Sequence, residues 1–290
     1  MRPVLDRIHR WLTPRQRRVA VTAFASGRWN RAETYAGTDR TELTFTTFNV
    51  WNDGYFADER YDAIVELLTR QEPDIMVFQE VTRRAHDILL SHPLVREQYF
   101  CAAVIGGGVG DYGMAMLSRV PLREVTYTRL PSRMFRGFLQ AELTAAGVRT
   151  AVSSVHLDSG KASAGLRARQ LDDVFGALRS ADDAIVLGDF NMRDAENSGI
   201  AAPFTDVWPM LRPREPGFTE DTAINLMRLD SRDKHRQVRF DRVLVKGSAW
   251  TPADIDLIGT QPISTAHPRV FPSDHFGLRC RLVRTGRACR

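Results

Sequence analysis

Cysteine is scarce and has no obvious pairing in this chain. Cys101, Cys280 and Cys289 are odd in number and lack the paired spacing of a zinc site. Neither a disulfide framework nor a thiolate-bound metal is indicated, and a reducing, cytoplasmic setting is expected. No apolar run approaches the roughly 20 residues that a membrane span needs, which argues against a spanning helix. The cluster Gly106-Gly107-Gly108-Val109-Gly110 lacks the Lys-Ser/Thr of a P-loop and the spacing of a dinucleotide site, so it reads as a turn between strands. Internal repeats and low-complexity tracts are missing too, and nothing like a linker divides residues 42–283. A single domain is the simplest partition of that stretch.

What is present points to an ordinary globular α/β chain. With 290 residues and 43% apolar content, one large α/β domain or two small ones can be built around a sizeable core. The formal charge of +5 is unevenly placed. Residues 1–40 carry nine arginines (Arg2, Arg7, Arg10, Arg15, Arg17, Arg18, Arg28, Arg31, Arg40) against Asp6, Glu33 and Asp39, a net of +6, which leaves about −1 for the rest. Val4, Leu5, Ile8, Trp11 and Leu12 fall at helical spacing among these arginines before Pro14. That pattern predicts a basic amphipathic helix able to lie on nucleic acid, on anionic lipid or on its own domain, the last being the expectation. Val19 to Ala25 ends in Ala23-Phe24-Ala25 like a signal-peptide cleavage site, but its short apolar core and long charged lead argue against export.

From Glu42 onward the chain alternates strand-like and helix-like runs. Leu43 to Asn52 mixes β-branched and aromatic residues and ends in Asn49, Asn52 and Asp53; Tyr61, Ile64, Val65, Leu67 and Leu68 then give a helical face that stops before Pro73. Asp74 to Glu80 is the next strand, and a carboxylate closing so buried a run needs a cation or a hydrogen-bonding partner. A strand over 151–159 bears His156 and Ser159 at its end, and a helix marked by Leu166, Leu171, Val174, Phe175 and Leu178 leads to Ile185-Val186-Leu187-Gly188-Asp189-Phe190-Asn191. There a carboxylate and an amide emerge on the same side of the strand. The pair suits metal-assisted attack on an ester, and the same letters also suit a plain Asp/Asn turn. Residues 197–239 read as a long loop region with Phe204, Trp208 and Phe218. Arg239 to Val245 is a strand with Asp241 near its start, and Ser273-Asp274-His275 leads into a last strand over 278–283, with Asp274 and His275 facing opposite sides. Acids, amides and histidines thus gather repeatedly at strand ends, an oxygen-rich arrangement that suits Mg²⁺ or Mn²⁺ beside a phosphate.

Six segments in order, Thr47-Phe48-Asn49-Val50, Phe78-Gln79-Glu80-Val81, His156-Leu157-Asp158-Ser159, Gly188-Asp189-Phe190-Asn191, Phe240-Asp241-Arg242 and Ser273-Asp274-His275, resemble the motifs of the endonuclease/exonuclease/phosphatase superfamily of metal-dependent phosphoesterases. The resemblance implies a DNase I-like α/β fold, a four-layer α/β/β/α sandwich of two mixed sheets flanked by helices. Residues 41–290 would form the catalytic domain and residues 1–40 a basic N-terminal extension. Within the superfamily the chain looks most like the 5′-tyrosyl-DNA phosphodiesterases, through Asp189-Phe190-Asn191-Met192-Arg193-Asp194, Asp221-Thr222 with Asn225, and Phe271 to Leu278. It departs from them at Glu220, which stands where that family has a tryptophan; an ion pair from Glu220 to Arg193 is expected, and on that basis Glu220→Trp should improve cleavage of phosphotyrosyl ends.

The resemblance also implies roles. Glu80 would hold Mg²⁺ (Mn²⁺ being possible), with Asn49 and Asp274 nearby. Asp189 would take a proton from the attacking water and Asn191 would hold that water or the phosphate. His275, oriented by Asp241, would donate to a phosphate oxygen, and His156 and Ser159 would grip the same phosphate with Lys161 or Arg193 adding charge. The expected substrate is DNA or a DNA–protein adduct, acted on by a monomer. Two other readings use the same letters: a phosphatase or phosphodiesterase on inositol phosphates or phospholipids, and a binding module on a degenerate site.

Overall fold

The computed structural model of the chain describes residues 15–33 and 36–286, so the helix expected over Val4 to Leu12 lies outside the described residues. Among the described residues the strands run in chain order: β1 (Gln16–Arg18), β2 (Thr22–Ala25), β3 (Arg28–Arg31), β4 (Glu42–Asn49), β5 (Ile75–Val81), β6 (Phe100–Val104), β7 (Gly113–Ser118), β8 (Arg123–Arg129), β9 (Gly137–Ala145), β10 (Val148–His156), β11 (Asp183–Asp189), β12 (Thr205–Asp206), β13 (Glu220–Asp221), β14 (Gln237–Val238), β15 (Asp241–Lys246), β16 (Trp250–Ile258) and β17 (Gly277–Arg284). They form a seven-stranded sheet in the order β1-β8-β9-β10-β11-β15-β12, an eight-stranded sheet in the order β16-β17-β4-β5-β7-β6-β2-β3, and a small β13-β14 ribbon.

Three apolar layers separate four structural ones. Phe45, Val77 and Met116 from the eight-stranded sheet pack with Leu139, Val152, Ile185 and Val243 from the other, so the two sheets share one largely apolar interface. Helix Ala57–Thr69 buries Tyr61, Ile64, Val65 and Leu68 on the outer face of the eight-stranded sheet, where Phe48, Met76 and Phe78 meet them. On the opposite outer face, helix Ala164–Ala177 sets Leu171 and Val174 against Phe138, Val155 and Val186. Sheets hydrophobic on both faces need such covering, and the α/β/β/α sandwich expected from the sequence is the result.

Topology explains why the polar strand ends meet. β4 and β5 are parallel, joined through helix Ala57–Thr69, and β10 and β11 are parallel, joined through helix Ala164–Ala177. A parallel pair sends both C-terminal ends to the same rim. Antiparallel neighbours β15 and β17 begin where those strands end, so Asp241 and the 273–275 segment enter at the rim that Asn49, Glu80, His156 and Asp189 leave. Between β9 and β10 the two-residue turn Ala146-Gly147 has positive φ at both positions, the hairpin geometry that matches strand twist.

Parts of the sequence reading need correction. Residues 16–31, assigned above to a basic extension, belong to the sheets: β1 pairs with β8, and the β2-β3 hairpin pairs with β6 through Thr22. Short strands rich in arginine escape periodicity because edge strands keep one face in solvent. Nor is 197–239 one long loop, since it holds helices Val207–Leu211 and Leu226–Arg232 and strands β12, β13 and β14. β16 carries Pro252 and sits at the edge of its sheet, where a missing N–H is tolerated.

One buried cation ties the rim together. Arg60, with no exposed surface, donates to the carbonyls of Val50, Trp51, Asp53, Tyr55 and Pro272 at 2.6–3.3 Å and lies over the Trp51 ring at 4.7 Å. It clamps the loop after β4 to the loop before β17. Arg60→Ala strands those carbonyls, so a loss on the order of 3 kcal/mol in chemical denaturation is expected; an unchanged denaturation midpoint would remove Arg60 as the clamp.

Candidate active site

Three neighbouring strands of the seven-stranded sheet put three groups in one row. His156 pairs in register with Asp189, and Asp189 with Asp241. A side chain at Gly188 would lie 2.1 Å from the Val155 carbonyl oxygen, so only glycine lets β11 run this close to β10 just before Asp189. From the eight-stranded sheet come Asn49, Glu80, Asp274 and His275. Asn49 Nδ2 donates to Asp189 Oδ2 at 3.1 Å, joining the two sheets across the site, while its Oδ1 accepts from the Trp51 amide at 3.0 Å.

Glu80 reaches the rim through a defect in its strand. Its φ is +59°, and the β5–β7 register shifts between Gln79 and Val81. A bulge with a left-handed non-glycine residue is costly, and here it re-aims a carboxylate out of an otherwise buried strand. The Asn52 amide donates to Glu80 Oε2 at 3.2 Å.

The two histidines are held in different protonation states. Asp241 Oδ2 accepts from His275 Nδ1 at 2.8 Å, and the carboxylates of Asp241, Asp189 and Asp274 hold the imidazole well above its ordinary pKa despite burial. His275 is therefore an imidazolium with Nδ1–H committed to Asp241. Burial, together with Arg136 and His275, pushes His156 well below its ordinary value. Arg136 donates to His156 Nδ1 at 2.9 Å, which leaves the proton of the neutral ring on Nε2. That Nε2 is buried, lacks an aligned protein acceptor, and faces Asp189 Oδ2 at 3.5 Å and Glu80 Oε1 at 3.8 Å.

Asp189 is buried, and desolvation with the nearby Asp241 charge pushes its carboxyl up to about 7 against the opposing pull of His275. The Asn191 amide donates to Asp189 Oδ1 at 2.8 Å, and Asn191 Nδ2 reaches Asp189 Oδ2 and the Leu157 carbonyl, each at 3.1 Å. Asn191, itself at φ +51°, thus fixes the orientation of the carboxylate beside it. Asp274 is pushed up to about 6 by burial and by the charge of Glu80.

Glu80, Ser159, Lys161, Asp189, Asn191, Arg193, Asp274 and His275 line one cleft of about 490 Å³. Asn49, His156 and Asp241 lie directly beneath it through the bonds just described. All of the candidate residues read from the sequence are therefore brought together. Ser159 spends its hydroxyl on Met134 Sδ at 3.3 Å, and Asp158 holds the 132–136 loop through Ser132 and the Arg133 amide. Arg136 and Tyr112, which donate and accept at 3.0 Å, were missed. Arg136 sits in the irregular stretch 131–137, which carries no periodic signal.

The expected Glu220–Arg193 pair is not formed. Glu220 instead binds Arg228 at 2.7 Å and Arg236 at 2.9 Å, while Arg193 lies over the Phe240 ring at 5.7 Å. Helix Leu226–Arg232 brings Arg228 to Glu220 in β13, and Arg236 follows the helix just before β14, the strand paired with β13, so both cations reach Glu220. The premise that Glu220→Trp would free Arg193 and improve phosphotyrosyl cleavage is gone, because that change would leave two guanidinium groups without their buried counterion.

The donor set fits a hard divalent cation. Glu80 and Asp274 face the same cleft, and their mutual repulsion is what a cation would relieve. Ligand atoms of Asp189, Asp241 and His275 also lie within 4.8 Å of one another, but there His275 Nδ1 and Asp241 Oδ2 are already bonded to each other at 2.8 Å. Glu80 and Asp274 are the better fit.

This fold and this site define a phosphoric ester hydrolase. Residues 46–275 match the model of the endonuclease/exonuclease/phosphatase family, and the chain belongs to that family of metal-dependent phosphoesterases. Its relatives include tyrosyl-DNA phosphodiesterase 2 of Xenopus laevis, 31% identical over 83% of this chain and 67% of the relative, and that of Mus musculus, 29% identical over 84% and 67%. The crystal structure of Danio rerio TDP2 complexed with a single-strand DNA product superimposes with a TM-score of 0.74 at 26% identity, covering 84% of this chain and 99% of that one.

No helix of the described residues is long and apolar enough to cross a membrane.

Proposed function

We propose that this chain is a Mg²⁺-dependent phosphodiesterase that removes 5′-phosphotyrosyl adducts from DNA ends, acting as a monomer in the cytoplasm. The observation that carries it is the row His156, Asp189, Asp241 closed by His275 in a cleft that also holds Lys161, Arg193, Arg228 and Arg236. Its likeness to tyrosyl-DNA phosphodiesterase 2 supports the substrate. Buried free thiols at Cys101 and Cys280 are in keeping with a reducing compartment.

Glu80 and Asp274 would hold Mg²⁺ with Asn49 beside them. When bound, the ion offsets charge on the phosphate oxygens and leaving group. The protein groups supply the rest. Asp189 accepts a proton from the attacking water, and Asn191 holds that water in line through its carboxamide oxygen. The His275 imidazolium and the neutral His156 Nε2–H each donate to a non-bridging phosphate oxygen as the phosphorus becomes five-coordinate. Lys161 and Arg193 add donors around the same phosphate, and Ser159 joins them by turning its hydroxyl from Met134 Sδ. A phenolate leaving group, with pKa near 10, needs little general-acid help.

A substrate panel tests the reading: 5′-tyrosyl DNA, abasic DNA, plain single strands, an inositol phosphate and sphingomyelin, each with and without EDTA. EDTA-sensitive release of tyrosine from DNA is expected, and activity confined to the lipid or inositol phosphate would overturn it. Glu80→Ala should weaken Mg²⁺ binding in calorimetric titration and lower turnover at least about a hundredfold. Unaltered Mg²⁺ affinity in a folded Glu80→Ala protein would take Glu80 out of the metal site.

A further inference from the structure

We propose that the unit Arg228–Glu220–Arg236 is a second phosphate-binding subsite, taking the phosphodiester next to the scissile one in a nucleic-acid strand. The inference rests on the substrate reading above and adds to it a requirement on the substrate: a charged second phosphate. Glu220 is 2% exposed, and each of its carboxylate oxygens is engaged by a different guanidinium group. One buried carboxylate holding two cations leaves a net positive charge at the cleft wall, and it fixes both guanidinium groups before any ligand arrives. Such preorganisation is what an oxyanion site needs, because the entropy of ordering two long side chains has already been met in folding.

The two arginines are placed for different tasks. Arg228, 8% exposed, is held back against the reacting centre, with Nε 3.5 Å from Asp274 Oδ2. That Nε is buried and has no aligned hydrogen-bond acceptor, although the residue lines the cleft. A buried donor without an acceptor is costly, and an anionic oxygen entering the cleft would satisfy it. Arg236 keeps 27% of its side chain exposed and lies over the Phe240 ring at 6.0 Å. The His275 imidazole is stacked on the same ring at 6.0 Å. Arg236 therefore stands one aromatic ring away from the group that would hold the scissile phosphate. Arg232 and Lys234 extend the same wall. A stacking side chain at position 220 would offer an aromatic surface; Glu220 offers a guanidinium pair and selects for charge.

The test uses full-length enzyme and three chromogenic substrates, the 5′-p-nitrophenyl phosphodiesters of thymidine, of the dinucleotide TpT, and of TpT whose internucleotide link is an uncharged methylphosphonate. With the wild-type protein, kcat/KM should be about tenfold higher for native TpT than for the methylphosphonate, with the difference carried by KM. In Arg236→Ala that ratio should fall to about one, and Arg236→Lys should restore part of it. The wild-type ratio needs no variant, so failure of Arg236→Ala to fold leaves the comparison intact. A wild-type ratio near one makes the cluster a structural knot only and overturns the proposal, as does a tenfold ratio that survives in Arg236→Ala. Hydrolysis of none of the three esters would instead remove the phosphodiesterase reading on which it rests.

Discussion

His275→Ala is expected to lower kcat/KM by at least about a hundredfold in a protein that still folds. The imidazolium carries a proton on Nδ1 for Asp241 and presents the other face of the ring to the cleft, so its removal takes away a charged donor where phosphate charge develops. The fold should tolerate the loss, since Asp189, whose carboxyl burial already pushes up, can take up a proton and avoid buried charge. This gives a second reading of the same variant. His275 holds the Asp189 carboxyl down, so in His275→Ala the acid limb of kcat/KM should move to higher pH. Measurement of rate against pH in both proteins decides it. Near-wild-type turnover in a folded His275→Ala, or an unmoved limb, would take His275 out of the site chemistry.

Asp189→Asn should cost at least as much activity and raise stability. An amide cannot accept the proton of water, so the loss falls on kcat. In the wild type the ionised Asp189 is the active form, and activity should rise with pH along a limb at or below about 7, the bound divalent cation drawing it downward. Stability runs the other way. Because the folded pKa lies above the unfolded one, the folded state binds this proton more tightly, and wild-type stability falls as pH rises from about 4 to about 7 and then levels. Without metal, Asp189→Asn should therefore melt above the wild type at pH 8, with the gap narrowing toward pH 4. A variant less stable than the wild type at pH 8, or one retaining more than a few per cent of its turnover, would contradict this account. A site that buries charge for chemistry gives up stability for it.

Most of the candidate site was legible because catalytic groups sit where strands end, and strand ends are marked by a change from apolar to polar letters. Asn49, Glu80, His156, Asp189 and Asp241 each close or open a run of β-branched and aliphatic residues. Glu80 was readable as an acid needing a partner, though not as a left-handed bulge, because its φ of +59° follows from the β5–β7 register rather than from its neighbours in sequence. Arg136 had no local signal: its role comes from the loop that Asp158 holds and from the His156 ring it reaches. Glu220 stood out as a departure, and its expected partner was wrong because pairing depends on how helix Leu226–Arg232 folds back. The strands over 16–31 were hidden by their arginines, which an edge strand can carry at no cost in burial.

By itself the amino-acid order determined the α/β class and the chemical repertoire, and the four layers followed from the resemblance its motifs carry. Alternating strand and helix patterns fix which faces must be covered, and the acids, amides and histidines at the strand ends fix what the rim can do. Only the tertiary structure decided the protonation states and the partnerships. His156 and His275 are the same residue type, yet one is neutral beside Arg136 and the other charged beside Asp241. That difference is set by charges brought within a few ångströms from distant parts of the chain, in a place where burial keeps water from screening them.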